Sequence, residues 1–183
     1  MDRRIVRAEK SKAALKAAFL DLFQTKEPED VTVVELCRKA GLNRSTFYAH
    51  YNYLDELIRE VLRESVEDVL AGLGTQWNLP KENGGVAKSV IAVYLRRFLT
   101  NPTLMRFCTC AGSGNYRALI IRAHADLSLV NAKDPIRYYA AYYHYAGILN
   151  FILEWLNTGM PIPEETVVEI IHEFSKVMYR SWP

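Results

Sequence analysis

Few of the features that announce chemistry occur in this chain of 183 residues. There is no glycine-rich phosphate loop, nucleophile elbow or dinucleotide fingerprint. His172-Glu173 and His124-Ala125-Asp126 lack the paired helical spacing, with a third ligand nearby, that a metal site needs. With no catalytic constellation, the expectation is a non-enzyme without metal or cofactor. Cysteine is scarce: Cys37, Cys108 and Cys110 make an odd count that argues against a disulfide framework. The lone Cys108-Thr109-Cys110 reads as two small apolar side chains in a helix. No apolar run approaches the roughly 18 residues of a membrane span. The basic N-terminus MDRRIVRAEKSK lacks the apolar core of a secretory signal, so a cytoplasmic protein without membrane contact is expected. No stretch sustains alternation at a period of two, and neither a fixed-period repeat nor a low-complexity tract is present.

What the chain does have is helix-forming residues: Ala, Leu, Glu, Lys and Arg dominate, and the expected class is all-α. Over 11–24, Ala14, Leu15, Ala18, Phe19, Leu22 and Phe23 recur at three and four to give one buried stripe. Pro28 ends that helix. Thr32-Val33-Val34-Glu35 is a capping box opening a helix over 33–40, and Gly41 stops it by accepting a left-handed conformation. Asn43 is a good cap for a second short helix. Two short capped helices around a glycine turn have the form of a helix-turn-helix, with the 11–24 helix as buttress. A long helix follows Asn52, with Leu54, Leu57, Ile58, Val61, Leu62 and Val69 apolar and a charged outer face. The run from Gly72 to Gly85 reads as a loop. Further helices are expected over 86–99, 103–110, 116–129, 135–157 and 164–179, with Asn101-Pro102, Gly112-Ser113-Gly114, Lys133-Asp134-Pro135 and Gly159-Met160-Pro161 between them.

Net charge is only +2, but its distribution is uneven. Up to His50 there are 10 basic against 7 acidic residues, and beyond it 13 against 14. A basic head on a neutral body suits nucleic-acid binding. In the segment NRSTFYAHY, Phe47 and Tyr51 lie four apart on a face shared with Leu42, and are expected in the core. Arg44, Ser45, Thr46, Tyr48 and His50 project elsewhere. They combine a cation, hydroxyls and a ring nitrogen, which suit phosphate oxygens and base edges in a major groove. Arg3, Arg4 and Arg7 precede the expected first helix and form either a basic arm or a solvated tail.

The stretch VTVVELCRKAGLNRSTFYAHYNYLDEL closely resembles the DNA-binding domain of the tetracycline-repressor (TetR) family of transcription regulators. It is similar in particular to the branch containing regulators of dihydroxyacetone kinase operons. That branch also shows an aromatic-glycine helix ending in W-x-x-x-G-M, here YAGILNFILEWLNTGM. The resemblance implies an N-terminal three-helix helix-turn-helix domain over 1–52 and a helical ligand-binding and dimerisation domain over 53–183. It implies Thr32 and Tyr48 as phosphate contacts, and Arg44, Ser45 and Thr46 as groove contacts. Asn43 would serve as cap and phosphate donor, with His50 near the backbone. The chain departs from the family at Tyr53, where relatives carry a phosphate-touching lysine, and at Ala49, where an aromatic or histidine is common.

For the body, Ile148, Leu149, Ile152, Leu153, Leu156, Val167, Val168, Ile170, Ile171, Phe174 and Val177 exceed what one outer face usually hides. Together with the family's pairing of its last two helices, they lead to the expectation of an isologous homodimer. The run IRYYAAYYHYAG admits two readings. Tyr138, Tyr142 and Tyr145, with His124, line an inducer pocket, or most of the tyrosines serve core and interface, which helix packing demands more often. The resulting expectation is a regulator, more repressor than activator, that binds a palindromic double-stranded DNA operator as a homodimer and is modulated by a small-molecule or protein effector. The alternative is a helical co-regulator or adaptor acting mainly through a protein partner.

Overall fold

The computed structural model describes residues 3–73, 81–128 and 135–181. Their order is α1 (Arg3–Phe23), a 3-10 turn (Pro28–Asp30), α2 (Val33–Ala40), α3 (Arg44–Tyr48), α4 (Leu54–Leu70), β1 (Lys81–Glu82), β2 (Gly85–Val86), α5 (Lys88–Thr100), α6 (Pro102–Thr109), α7 (Ser113–Ser128), α8 (Pro135–Asn157) and α9 (Glu164–Ser181). The all-α class follows from this list. Two compact units divide the chain, 1–62 and 63–183, so the division falls inside α4 rather than at residue 52. The first half of α4, in which Leu57, Ile58, Val61 and Leu62 are buried, is tied to α1 through Glu60, which pairs with Lys12 and Lys16.

In the first unit α1 packs on α2 and α3. Its stripe is buried as the spacing requires: Leu15, Phe19 and Phe23 are fully enclosed, and the two phenylalanine rings stack at 5.5 Å. The helix begins earlier than its apolar stripe, however. Arg4 and Arg7 stand exposed on its first turns, so the arginines are part of a helix and not of an arm. Helix-compatible residues extend a helix past the point where burial ends.

The second unit layers α7 on α8, α6 on α7, and α5 on α9. The expected loop over 72–85 is only part of the answer: 74–80 lies outside the described residues, as do Lys133 and Asp134, but 81–86 is a two-stranded antiparallel hairpin. Lys81 pairs with Val86 and Glu82 with Gly85, around Asn83 at φ 49° and Gly84 at φ 85°. Two successive left-handed residues make the hairpin turn that Asn-Gly favours. Strand β2 is held by side chains of α9. The Ser175 hydroxyl accepts from the Val86 amide at 2.8 Å, and His172 Nδ1 donates to the Val86 carbonyl at 2.7 Å. Both residues are buried, and they satisfy backbone groups that a two-residue strand leaves open on its outer side. Lys88 and Glu169 add an ion pair at 2.5 Å.

The W-x-x-x-G-M motif closes α8. The amide of Met160 reaches the Trp155 carbonyl at 2.8 Å, that of Gly159 reaches Leu156, and the Trp155 indole donates to the Ile162 carbonyl at 2.8 Å. This double closure turns the chain into α9 and explains why tryptophan stands there. Much of the apolar surplus of α8 and α9 is used inside the unit. Leu149, Ile152, Leu153, Val167, Val168 and Ile171 are buried, whereas Phe174 and Val177 are exposed.

A Cβ added at Gly85 would lie 2.7 Å from Ser175 Oγ and 2.8 Å from the His172 carbonyl oxygen, a helix backbone atom that yields at a cost. Gly85→Ala is therefore expected to destabilise the fold by roughly 1–3 kcal/mol, measured as a lowered thermal midpoint. Gly114→Ala, with open space around the added carbon, leaves the midpoint unchanged or raises it.

Candidate nucleic-acid interface and buried pocket

Helix α2 starts at Thr32, whose hydroxyl accepts from the Glu35 amide at 3.2 Å. Only this half of the expected capping box forms, because the Glu35 carboxylate is taken by Lys26 at 2.8 Å. The helix ends on Gly41 at φ 66°, where the Leu42 amide reaches the Cys37 carbonyl and the Gly41 amide reaches Arg38. Glycine stands there because other residues resist that conformation. Asn43 then occupies the cap position of α3 in extended geometry, but its side chain makes no capping hydrogen bond.

Helix α3 is five residues long, too short to persist in water on its own. Two rings anchor it. Phe47 is fully buried and Tyr51 nearly so, with centroids 5.6 Å apart. Around them Asn43, Arg44, Ser45 and Tyr48 are exposed and Thr46 is half-buried; Tyr48, 51% exposed, stands edge-on to Phe47 at 5.3 Å. Thr32 is exposed at the start of α2. His50 does not join this set: it is half-buried, with Nε2 2.6 Å from the Ser11 hydroxyl of α1. Arg38 and Tyr53 are also exposed, Tyr53 at 72%. Lys39 is ion-paired with Asp21.

Sequence reasoning counted Glu60 only among the charged outer face of α4. The structure gives it three partners: Lys12 at 2.9 Å, Lys16 at 3.3 Å and the Tyr51 hydroxyl at 3.2 Å. Lys12 also lies 5.6 Å from the Tyr51 ring centroid. Burial alone would raise the Glu60 carboxyl, but Lys12 and then Lys16 outweigh it and hold the group below its ordinary value. Glu60 thus ties α1 and α4 to the segment that follows α3. The i, i+4 spacing of Lys12 and Lys16 was the available signal.

In the second unit the four residues expected at a ligand site separate into two places. Tyr138 and Tyr142 pack against Ala125 and Ala141. His124 and Tyr145 meet each other at 5.0 Å, and the His124 Nε2 lies 3.1 Å from the Tyr94 hydroxyl. Tyr94 had not been singled out; it sits on α5, far away in sequence. His124 Nδ1 donates to the Ile120 carbonyl at 2.8 Å, so its Nε2 is the acceptor for Tyr94. Burial pushes His124 down to about 4, keeping the imidazole neutral, and raises the Tyr94 hydroxyl, with smaller contributions from Tyr145 and Cys108. Tyr94 and Tyr145 line a cavity of about 40 Å³.

Cys37, Cys108 and Cys110 are buried and form no disulfide. Burial raises Cys108 to about 12 despite Arg117, whose guanidinium grips the Cys108 carbonyl at 2.9 Å. Such a thiol stays protonated at neutral pH and is a poor nucleophile.

His124 titrates below its ordinary value of 6.5, so the unfolded chain takes up the proton first as pH falls. Its contribution is intact above pH 6.5 and is lost between there and about 4. The loss is roughly 3 kcal/mol. Burial holds His144 down to about 4 as well, so His124→Asn should lessen, not abolish, the slope of that segment of a stability-against-pH curve, and the His124 ring protons should show an NMR midpoint near 4.

The family model described as the transcriptional regulator C-terminal region, of TetR type, matches residues 101–177. An HTH-type transcriptional regulator of Haemophilus influenzae is 31% identical over 143 residues, covering 77% of this chain and 68% of that protein. The HTH-type regulator YxbF of Bacillus subtilis is 26% identical over 181 residues, 97% of this chain but 47% of its own length. The chain therefore spans about half of that relative; both proteins are named as uncharacterized. A crystal structure of a candidate TetR-family transcriptional regulator from Mesorhizobium loti MAFF303099 has the same fold at TM-score 0.52 and 17% identity, covering 99% of this chain and 98% of that one. Among the described residues no helix is long and apolar enough to cross a membrane. With a glycine-turned helix pair at its head and a matching C-terminal region behind, this chain belongs to the TetR family of helix-turn-helix transcriptional regulators.

Proposed function

We propose that the chain is a cytoplasmic repressor that binds a palindromic operator as a homodimer and is modulated by an effector held in the 63–183 unit. The observation that carries the DNA-binding half is the division of α3: Phe47 is 0% exposed and Tyr48, its neighbour, 51%. The anchor fixes the helix, and Arg44, Ser45 and Tyr48 face outward beside Asn43. In this reading Arg44, Ser45 and Thr46 meet the major groove, and Thr32, Asn43 and Tyr48 meet phosphates. The Ser11 hydroxyl donates to the Ala8 carbonyl, so His50 Nε2–H donates to Ser11 and the Nδ1 of a neutral ring is an acceptor with no proton for a phosphate. Two such heads need half-sites about 34 Å apart, one turn of DNA.

Exposed apolar side chains on the last two helices support the homodimer. Tyr139 is 69% exposed and Tyr143 82%, one turn apart on α8; Phe174 is 73% and Val177 64% on α9. A second copy would cover surface of this kind, which monomers seldom leave open in bulk.

Arg44→Ala is expected to weaken binding to DNA from upstream of the chain's own gene by roughly 1–3 kcal/mol if Arg44 reads a guanine, in gel-shift titrations. Affinity should fall steeply with salt. A chain that shows no sequence preference at any salt concentration would refute the reading. Phe174→Glu is expected to raise the dimer dissociation constant in sedimentation equilibrium by about tenfold or more. An unchanged constant would remove Phe174 from the interface.

A further inference from the structure

Among the described residues of the first unit, the large apolar side chains left exposed include Ile5, Val34, Tyr48 and Tyr53. Val34 lies in the first turn of α2, two positions beyond Thr32, and is 57% exposed. Neither burial nor helix preference accounts for a valine there, because a β-branched side chain favours a helix less than alanine does. Its surroundings are cationic. Arg38, four positions further along α2, and Arg44 at the start of α3 form no ion pair among the described residues, whereas the carboxylates of Glu35 and Asp21 are taken by Lys26 and Lys39. Burial raises the Cys37 thiol and the Arg44 guanidinium draws it part of the way back, so Arg44 stands close to the turn of α2 that follows Val34.

We propose that α2 is a second reading element of the DNA-binding head, and that Val34 packs against the 5-methyl group of a thymine in the major groove of each half-site. This rests on the DNA-binding reading above and names a base which that reading leaves open. The unpaired cations of α2 and α3 suit a polyanion. Thr32 lets the first turn of α2 approach it: its oxygen accepts from the Glu35 amide, which leaves the hydroxyl proton for a phosphate. Two residues further on, the Val34 side chain can neither donate nor accept a hydrogen bond. A phosphate or the polar edge of a base would lose water against it and gain nothing. The thymine methyl is the one apolar group on the major-groove edges of the four bases.

Val34 and Arg44 then divide the half-site between them. The fork of Arg44 suits the O6 and N7 acceptors of guanine, and Val34 suits thymine. Helix α3 has no acidic residue in its first turn and Glu35 of α2 is committed to Lys26, so neither helix offers the free carboxylate that reads the amino group of cytosine. The size of the thymine effect follows from one methyl group. Burying it is worth about 0.8 kcal/mol, or about fourfold in affinity for one half-site. Two well-separated half-sites add to about fifteenfold.

Duplexes selected from a random pool by the full chain supply the probe. Each thymine of the enriched half-site, on either strand, is replaced in turn by deoxyuridine, which lacks only the 5-methyl group, and dissociation constants are measured by fluorescence anisotropy at one salt concentration. At one thymine position the replacement should weaken binding about fourfold in one half-site and about fifteenfold in both. Val34→Ala should bind the thymine and deoxyuridine duplexes alike, with the affinity that the unaltered chain has for deoxyuridine. Val34→Gln, a second variant without the branched methyls, should also lose the discrimination, and Val34→Ile should keep it. Near-ultraviolet circular dichroism confirms that each variant is folded. No position at which deoxyuridine costs more than about twofold, or folded Val34→Ala and Val34→Gln chains that keep the whole loss, would overturn the assignment and leave DNA binding in place. Enrichment of no duplex would remove the DNA-binding reading and this inference with it.

Discussion

Burial of Phe47 and Tyr51 is the constraint on which the N-terminal unit depends. Each ring contributes roughly 1.5–3 kcal/mol by leaving water, and a five-residue helix has no comparable source of stability of its own. Because side chains on a helix are fixed relative to one another, enclosing Phe47 decides where Arg44, Ser45 and Tyr48 point. Glu60 extends the same constraint to its neighbours. It accepts from the Tyr51 hydroxyl while pairing with Lys12 and Lys16, so the segment after α3 is referenced to both α1 and α4. Arg44 and Ser45, which are proposed to meet DNA, stand exposed beside this anchor.

The second unit depends on a different device. A two-residue strand would ordinarily be marginal, yet β2 is held by Ser175 and His172 reading its backbone as a neighbouring strand would. Gly85 permits the approach, and the strand delivers Val86 to the wall of the cavity. Tyr94, which also lines the cavity, is bonded to His124 and through it to the Ile120 carbonyl, a relay that joins α5 to α7.

Local signals were legible in the sequence and long-range ones were not. The helix class, the Gly41 turn, the burial of Phe47 and Tyr51, and α2 and α8 to the residue follow from periodicity and cap chemistry, which act within a few positions. The Asn83-Gly84 hairpin was equally local but hidden, since strands of two residues show no alternation and the turn dipeptide alone carried the information. The pairing of His50 with Ser11 spans 39 positions and that of Tyr94 with His124 spans 30, and no pattern within either segment points to the other. The same holds for the tyrosines of α8. Their spacing put Tyr138, Tyr142 and Tyr145 on one face, but only the residues opposite that face decide which of them meet a cavity and which meet alanine.

The account's central claim is that the α3 surface around Arg44 and Tyr48 recognises DNA in a symmetric pair. Selection of bound duplexes from a random pool by the full chain, followed by footprinting of the enriched sequences, tests it most directly. The account predicts a two-fold symmetric motif with half-site centres one helical turn, about 10 base pairs, or a small multiple of it apart. Enrichment of no sequence, or of an asymmetric site protected over a single half, would contradict it.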